Sequence, residues 1–237
     1  MVSITGGAPV SGPMDPPGDR TAPGSRESQP SAGRPRGGVI VSSTSDLPVL
    51  SFDLGSPYAY LALARAESVL GRPPVLEPVL LGAIFRLRGH GSWANTPERE
   101  TQMAEVQDRA RRYGLPDIVW PRNWPADGLA AMRAATWAQR CGRLEAFARA
   151  AFAAQFAHGG DLTDLPLLAS CAQAAGLDGD RLTTAIADEE VKQALRRSTE
   201  SAWEAGVRGV PTLRIGAQLF YGDDQLERAR DAGGDSP

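Results

Sequence analysis

The chain has 237 residues, 42% of them hydrophobic and 22% charged, with a formal net charge of −3 and 2 cysteines. That length can bury a sizeable core without covalent staples, and the near-neutral charge lacks the basic footprint of a nucleic-acid binder. Cys141 and Cys171 lie far apart with no Cys-x-x-Cys, which excludes a local zinc knuckle or redox dithiol, and two buried thiols are expected instead.

No stretch approaches the roughly 18 to 20 uninterrupted apolar residues of a membrane span. Residues 1–10 have no basic start, and no apolar run of about 7 to 15 residues follows them, so a signal peptide is not expected and the protein reads as cytoplasmic. Small molecules, rather than nucleic acid or membrane, are the expected partner class. Residues 1–45 are dominated by Gly, Pro and Ser and hold no aromatic residue. Such a segment cannot offset its ordering entropy by burial and is expected to be a disordered tail.

Val49-Leu50-Ser51-Phe52-Asp53 is an apolar run of strand length ended by Gly55-Ser56-Pro57. Tyr58, Leu61, Leu63, Ala66, Val69 and Leu70 then recur at helical spacing up to Gly71. A second strand fits Pro74 to Leu80, and strand-helix-strand implies a parallel pair with a right-handed crossover. The block 81–206 reads as mostly helical. Its helices are Pro97 to Tyr113, Asp127 to Cys141 with a partner reaching Ala157, Asp164 to Ala175, Asp178 to Asp188, and Glu189 to Ala205. Alternation returns in Pro211 to Ile215 and Gln218 to Tyr221 around Gly216-Ala217, a hairpin signature. Gly222-Asp223-Asp224 then opens a last helix, Gln225 to Ala232. The expected class is α/β: a sheet domain, residues 46–80 and 207–232, interrupted by an inserted helical domain, residues 81–206.

Two motifs carry chemistry. In Asp53-Leu54-Gly55-Ser56-Pro57-Tyr58, Ser56 takes the N-cap position and Pro57 the first helical position, where a missing N–H costs nothing. Ligands gather at the carboxyl ends of parallel strands, and a helix N-terminus there favours an anion such as a thiolate. Ser-Pro opens many helices, so the motif alone does not identify a site. In Gly209-Val210-Pro211-Thr212, a proline entering a strand suits an edge or a cis bond. A cis Val210–Pro211 bond would turn the Val210 main chain outward to pair with a peptide-like ligand, although trans is commoner at such positions.

Together these motifs, with Leu80-Leu81-Gly82-Ala83-Ile84-Phe85 and the closing Gly222-Asp223-Asp224-Gln225-Leu226, resemble the 2-hydroxychromene-2-carboxylate isomerase and kappa-class glutathione transferase family over about residues 48–230. The resemblance implies a thioredoxin-like fold with an inserted helical domain, like that of DsbA-type proteins, a homodimer, and glutathione as cofactor. Ser56 stands where redox relatives carry their first cysteine. By resemblance its hydroxyl donates to the glutathione sulfur and favours the thiolate. The same resemblance puts the Val210 main chain, beside Pro211, against the cysteinyl part of glutathione, and Asp223 and Asp224 against its γ-glutamyl amine. The alternative for the two aspartates is helix capping alone. Asn95 matches the family's Asn-x-Pro, whereas Arg99 replaces a Lys and Thr101 or Gln102 a Tyr.

The resemblance implies a glutathione-dependent isomerase acting on an aromatic unsaturated acid. A kappa-like transferase acting on small electrophiles and a non-catalytic thioredoxin-fold binding module are the alternatives. Tyr58, Trp93, Trp120 and Trp124 are candidates for an aromatic pocket or for ordinary packing. His90 reads as a loop histidine and His158 as a partner for a helix C-terminus, and no metal site is expected.

Overall fold

The structure is a computed structural model that describes residues 47–89 and 91–234; the expected tail and His90 lie outside the described residues. Four short strands form one mixed sheet: β1 (Val49–Phe52), β2 (Val75–Pro78), β3 (Thr212–Ile215) and β4 (Gln218–Tyr221), in the order β2-β1-β3-β4. β1 pairs parallel with β2 and antiparallel with β3, and β3 pairs antiparallel with β4. Leu50 lies opposite both Leu76 and Leu213, and Leu213 opposite Phe220, so the alternation of these strands places one apolar row on one face, all of it buried. The other face is more polar: Ser51 Oγ donates to Glu77 Oε2 at 2.6 Å, and Arg214 lies 3.6 Å from Glu77.

Helix α1 (Pro57–Leu70) joins the two parallel strands and stops at Gly71, whose φ of +70° is a left-handed conformation that glycine adopts without a Cβ clash. After β2 the chain turns directly into α2 (Leu81–Arg88), an element that the sequence pattern leaves undelimited. There follow α3 (Arg99–Arg112), α4 (Leu129–Arg140) and α5 (Leu144–Phe152). α5 runs on into a π-helical turn, Ala153–Ala157, closed by His158. α6 (Leu165–Ala174), α7 (Leu182–Ala187) and α8 (Glu189–Glu204) complete the block, and α9 (Leu226–Gly234) follows the hairpin.

Ala131, Ala134, Ala135 and Ala138 are buried along α4, where small side chains let it pack against α5, α7 and α8. Leu50 and Phe52 of β1 belong to the same buried cluster as Phe147 and Phe152 of α5, so sheet and helical block share one core. Asp127 accepts from Leu129 N at 2.9 Å and so supports the start of α4, with Gly128 in the cap position.

The cysteines divide. Cys171 is buried in α6, as expected, but Cys141 is exposed, because it sits at the C-cap of α4, where the chain leaves the packed helix face and turns at Gly142. Among the described residues no helix is long and apolar enough to cross a membrane.

Candidate active site

Ser56 lies just past the carboxyl end of β1 as the N-cap of α1, with extended backbone (φ −94°, ψ 115°). Its Oγ accepts from Ala59 N at 3.2 Å, which leaves the hydroxyl hydrogen free to donate outward. The partial positive charge of the α1 N-terminus falls at the same place.

The turn that presents Ser56 is held from several directions. Asp53 Oδ1 accepts from Gly55 N and Oδ2 from Leu81 N, both at 2.8 Å. Leu54 N donates to Met132 Sδ of α4 at 3.2 Å, and Leu54 O accepts from Gln155 Nε2 at 3.1 Å. Trp124 Nε1 donates to Gly55 O at 3.1 Å. Burial pushes the Asp53 carboxyl up to about 6, against the two backbone N–H groups that pull it down. The segment between β1 and α1 supplies the turn, and Met132, Trp124 and Gln155, from the helices and loops after β2, supply much of what fixes it.

Ser56 opens onto a cleft of about 480 Å3. Val210 and Pro211 form one part of its wall, and the bond between them is cis. Phe85, Trp93 and Trp124 form an aromatic part, with Trp93 and Trp124 ring centroids 5.2 Å apart and Tyr58 and Trp93 6.1 Å apart. Trp120 packs behind Trp124, with ring centroids 4.7 Å apart and planes inclined by 56°, and does not line the cleft. Gln102, which accepts from the Tyr58 hydroxyl at 2.7 Å, joins Arg109, Asp223 and Asp224 in the polar part of the wall.

The two aspartates differ. Asp223 is fully buried; its Oδ1 accepts from Arg109 Nη1 and its Oδ2 from the Tyr113 hydroxyl, each at 2.9 Å. Burial pushes its carboxyl up, while Tyr113 and Arg109 pull it back. Burial, with Asp223 adding to it, pushes the Tyr113 hydroxyl up to about 12, so Tyr113 stays the donor. Asp224 keeps 48% of its side chain exposed, with Oδ2 3.3 Å from Arg109 Nη1.

Ser56, Val210, Pro211, Asp223 and Asp224 therefore surround one cleft. Asn95, at the end of the 3-10 turn Trp93–Asn95, lines an adjoining cavity of about 540 Å3 that shares Gly55, Leu81, Phe85 and Trp124 with the first. Arg99 reaches Trp124 O at 3.0 Å. Arg109 and Tyr113 were not singled out from the sequence. The available signal was their spacing: Gln102, Val106, Arg109 and Tyr113 share one face of α3, and Val106 on that face is buried.

A family model described as the DsbA-like thioredoxin domain matches residues 49–232. The chain belongs to this family. Within it, the chain is similar to 2-hydroxychromene-2-carboxylate isomerase of Sphingobium xenophagum, with 28% identity over 182 residues covering 74% of this chain and 92% of that protein. It is also similar to glutathione S-transferase kappa 1 of Homo sapiens, with 25% identity over 195 residues covering 75% and 86%. Among solved structures, a 2-hydroxychromene-2-carboxylate isomerase superposes with a TM-score of 0.71 at 22% identity, over 79% of this chain and 94% of that one. A probable DsbA oxidoreductase from Streptomyces coelicolor gives 0.61 at 20% identity, over 80% and 91%. These two structural likenesses are likenesses of fold. This DsbA-like chain has no Cys-x-x-Cys, and neither of its cysteines lines the Ser56 cleft.

Proposed function

We propose that the protein is a glutathione-dependent isomerase of the 2-hydroxychromene-2-carboxylate isomerase type. The observation that carries this reading is Ser56: a buried hydroxyl at a helix N-terminus, its lone pair engaged by Ala59 N and its hydrogen free, facing a cleft with no cysteine of its own. Similarity to proteins named as an isomerase and a glutathione transferase supports it.

The residues present fit glutathione. The cleft volume falls within the range of about 300 to 1,000 Å3 usual for small-molecule sites. Ser56 would hold the sulfur and favour its ionised form by donating to it, with the α1 N-terminus adding to the effect. Val210 would offer its main chain to the cysteinyl amide, and Asp224 a carboxylate to the γ-glutamyl amine. Bound glutathione supplies a nucleophilic sulfur for reversible addition to an unsaturated carbon, the chemistry by which a double bond is opened to rotation and then restored. Phe85, Trp93 and Trp124 offer apolar ring faces to an aromatic acid beside Ser56 and exclude water from it.

The test is turnover of an o-hydroxybenzylidenepyruvate in the presence of glutathione. Isomer should form with glutathione recovered unchanged, and Ser56→Ala should lower kcat/KM by about 100- to 1,000-fold, the range for removing one donor to a charged reacting group. Stoichiometric consumption of glutathione by a chlorodinitrobenzene-type electrophile, with no isomerisation, would instead support a kappa-like transferase, the reading favoured by the human relative.

A further inference from the structure

Asp53 is a buried carboxylate that the chemistry of the cleft leaves unused, and its two oxygens serve two different elements. Oδ1 accepts from Gly55 N, in the turn that presents Ser56, and Oδ2 from Leu81 N, at the first position of α2, both at 2.8 Å. Ser56 N also donates to the Asp53 carbonyl at 3.0 Å, so the residue holds the turn through its main chain as well. Leu80, in the cap position of α2, has no side-chain acceptor to give that helix end, and Asp53 takes over the role from 28 residues away. The carboxylate is closely walled: a Cβ added at Gly55 would lie 3.3 Å from Oδ1, and one at Gly128, before α4, 3.6 Å from it.

The position of α2 matters because Leu81 and Phe85, one helical turn apart, line both the Ser56 cleft and the adjoining cavity of about 540 Å3. α2 is otherwise tied to α8, through Leu80 N and Thr199 Oγ1 at 3.0 Å, and to the segment before β3, through Arg88 Nη1 and Arg208 O at 2.7 Å. An ionised carboxylate accepts at both oxygens, whereas an acid holds the same two donors less well, because one oxygen has become a hydroxyl. Burial pushes the Asp53 carboxyl up to about 6, so that change falls just below neutral pH. The charged groups sharing a cavity with it are Arg86, from α2, and Asp127, from the segment before α4. Burial and the two N–H groups, rather than those charges, set its titration.

Resting on the glutathione-dependent activity above, we propose that Asp53 is a positioning residue for it: its carboxylate clamps the Ser56 turn to the start of α2, fixing the thiol site against the Leu81 and Phe85 wall, and protonation loosens the clamp. No proton passes between Asp53 and the substrate. Activity therefore falls on acidification for a reason separate from protonation of the thiol.

The test begins with the full-length protein free of ligand. The proton–nitrogen NMR resonances of the Gly55 and Leu81 amides should shift with one common midpoint, about 6, and neither should titrate there in Asp53→Asn. Leu81→Pro removes one donor at a first helical position, where proline is tolerated, and should move the Gly55 midpoint to higher pH. It also decides the point if Asp53→Asn does not fold. With glutathione saturating, kcat/KM for an o-hydroxybenzylidenepyruvate at about pH 7.5 should be about 10- to 100-fold lower in Asp53→Asn, the scale of a small misplacement of reacting groups. The acid limb of its pH profile should involve one proton fewer than that of the wild type. Different midpoints for the two amides, an undiminished kcat/KM or identical acid limbs would overturn the clamp while leaving the glutathione reading in place. A wild-type protein that shows no turnover with glutathione at any pH would remove that reading and the positioning role with it, even if the two amides titrate together.

Discussion

Gln155 donates from Nε2 to the carbonyl of Leu54 at 3.1 Å, across 101 residues of sequence. Gln155 belongs to the π-helical turn that ends α5, and Leu54 to the turn that presents Ser56. Both residues are buried, so water cannot replace the bond. The helical block thus sets the position of a serine that lies outside it.

Gln155→Leu should therefore lower stability by about 1 to 3 kcal/mol, the cost of leaving a buried carbonyl without its donor. It should also lower kcat/KM while the far-UV spectrum is retained, because the Ser56 turn loses a tether. Urea unfolding and steady-state kinetics on the same preparation check both. A variant as stable as wild type would show that the bond contributes nothing.

Asp53 predicts a pH dependence. Its folded-state pKa is raised, to about 6 from 3.8, so its contribution to stability is fully present at low pH, below the unfolded value, and is lost as pH rises through about 6. Roughly two units at ~1.4 kcal/mol each give a loss of about 3 kcal/mol between about pH 4 and pH 7. In Asp53→Asn that slope should vanish, although overall stability falls too, since the amide has one acceptor for the two N–H groups of Gly55 and Leu81. Denaturation midpoints of both proteins across this range decide the point, and parallel profiles would refute it.

Tyr113→Phe removes one of the two donors to the buried Asp223 carboxylate. A hydrogen bond to a charged group contributes about 1.5 to 3 kcal/mol, and a loss of that size should appear as a lower Tm. Because Asp223 lines the cleft and also holds Arg109, KM for the glutathione proposed above should rise more than kcat falls. A drop confined to kcat would contradict this placement.

Gly209→Ala should alter the cleft with little effect on stability. A Cβ at Gly209 would lie 2.7 Å from Cε2 of Tyr221, whose ring is largely exposed and lines the cleft, so the ring can swing away. The expected result is a change in KM with a stability change under about 1 kcal/mol. A severe loss of stability would mean that Tyr221 is fixed more firmly than its exposure implies.

The parts of the fold that were legible in the sequence are those encoded by neighbours. Ser56-Pro57 and Gly71 bracket α1, Gly216 turns the hairpin, and alternation in 212–215 and 218–221 marks its strands. α2 was not legible, because Gly82 weakens helix propensity and the cue for its start is the carboxylate of Asp53, 28 residues away. Arg109 and Asp223 are 114 residues apart, and nothing local tells a surface arginine on a charged helix from one that folds over a cleft. The Ser56 motif was visible for the same reason that α1 was, whereas its support from Met132, Trp124 and Gln155 exists only in three dimensions. Cys141 is exposed although its residue type favours burial, because its place at a helix end overrides that preference.

The extended backbone at Ser56 is one that any L-residue adopts without strain. Serine and cysteine differ there by a single atom, oxygen for sulfur, so the choice between a resident thiol and a visiting one can be made without moving the main chain. A scaffold of this kind can change the source of its reactive sulfur through a point substitution, with its sheet, its helices and its tethers left as they are.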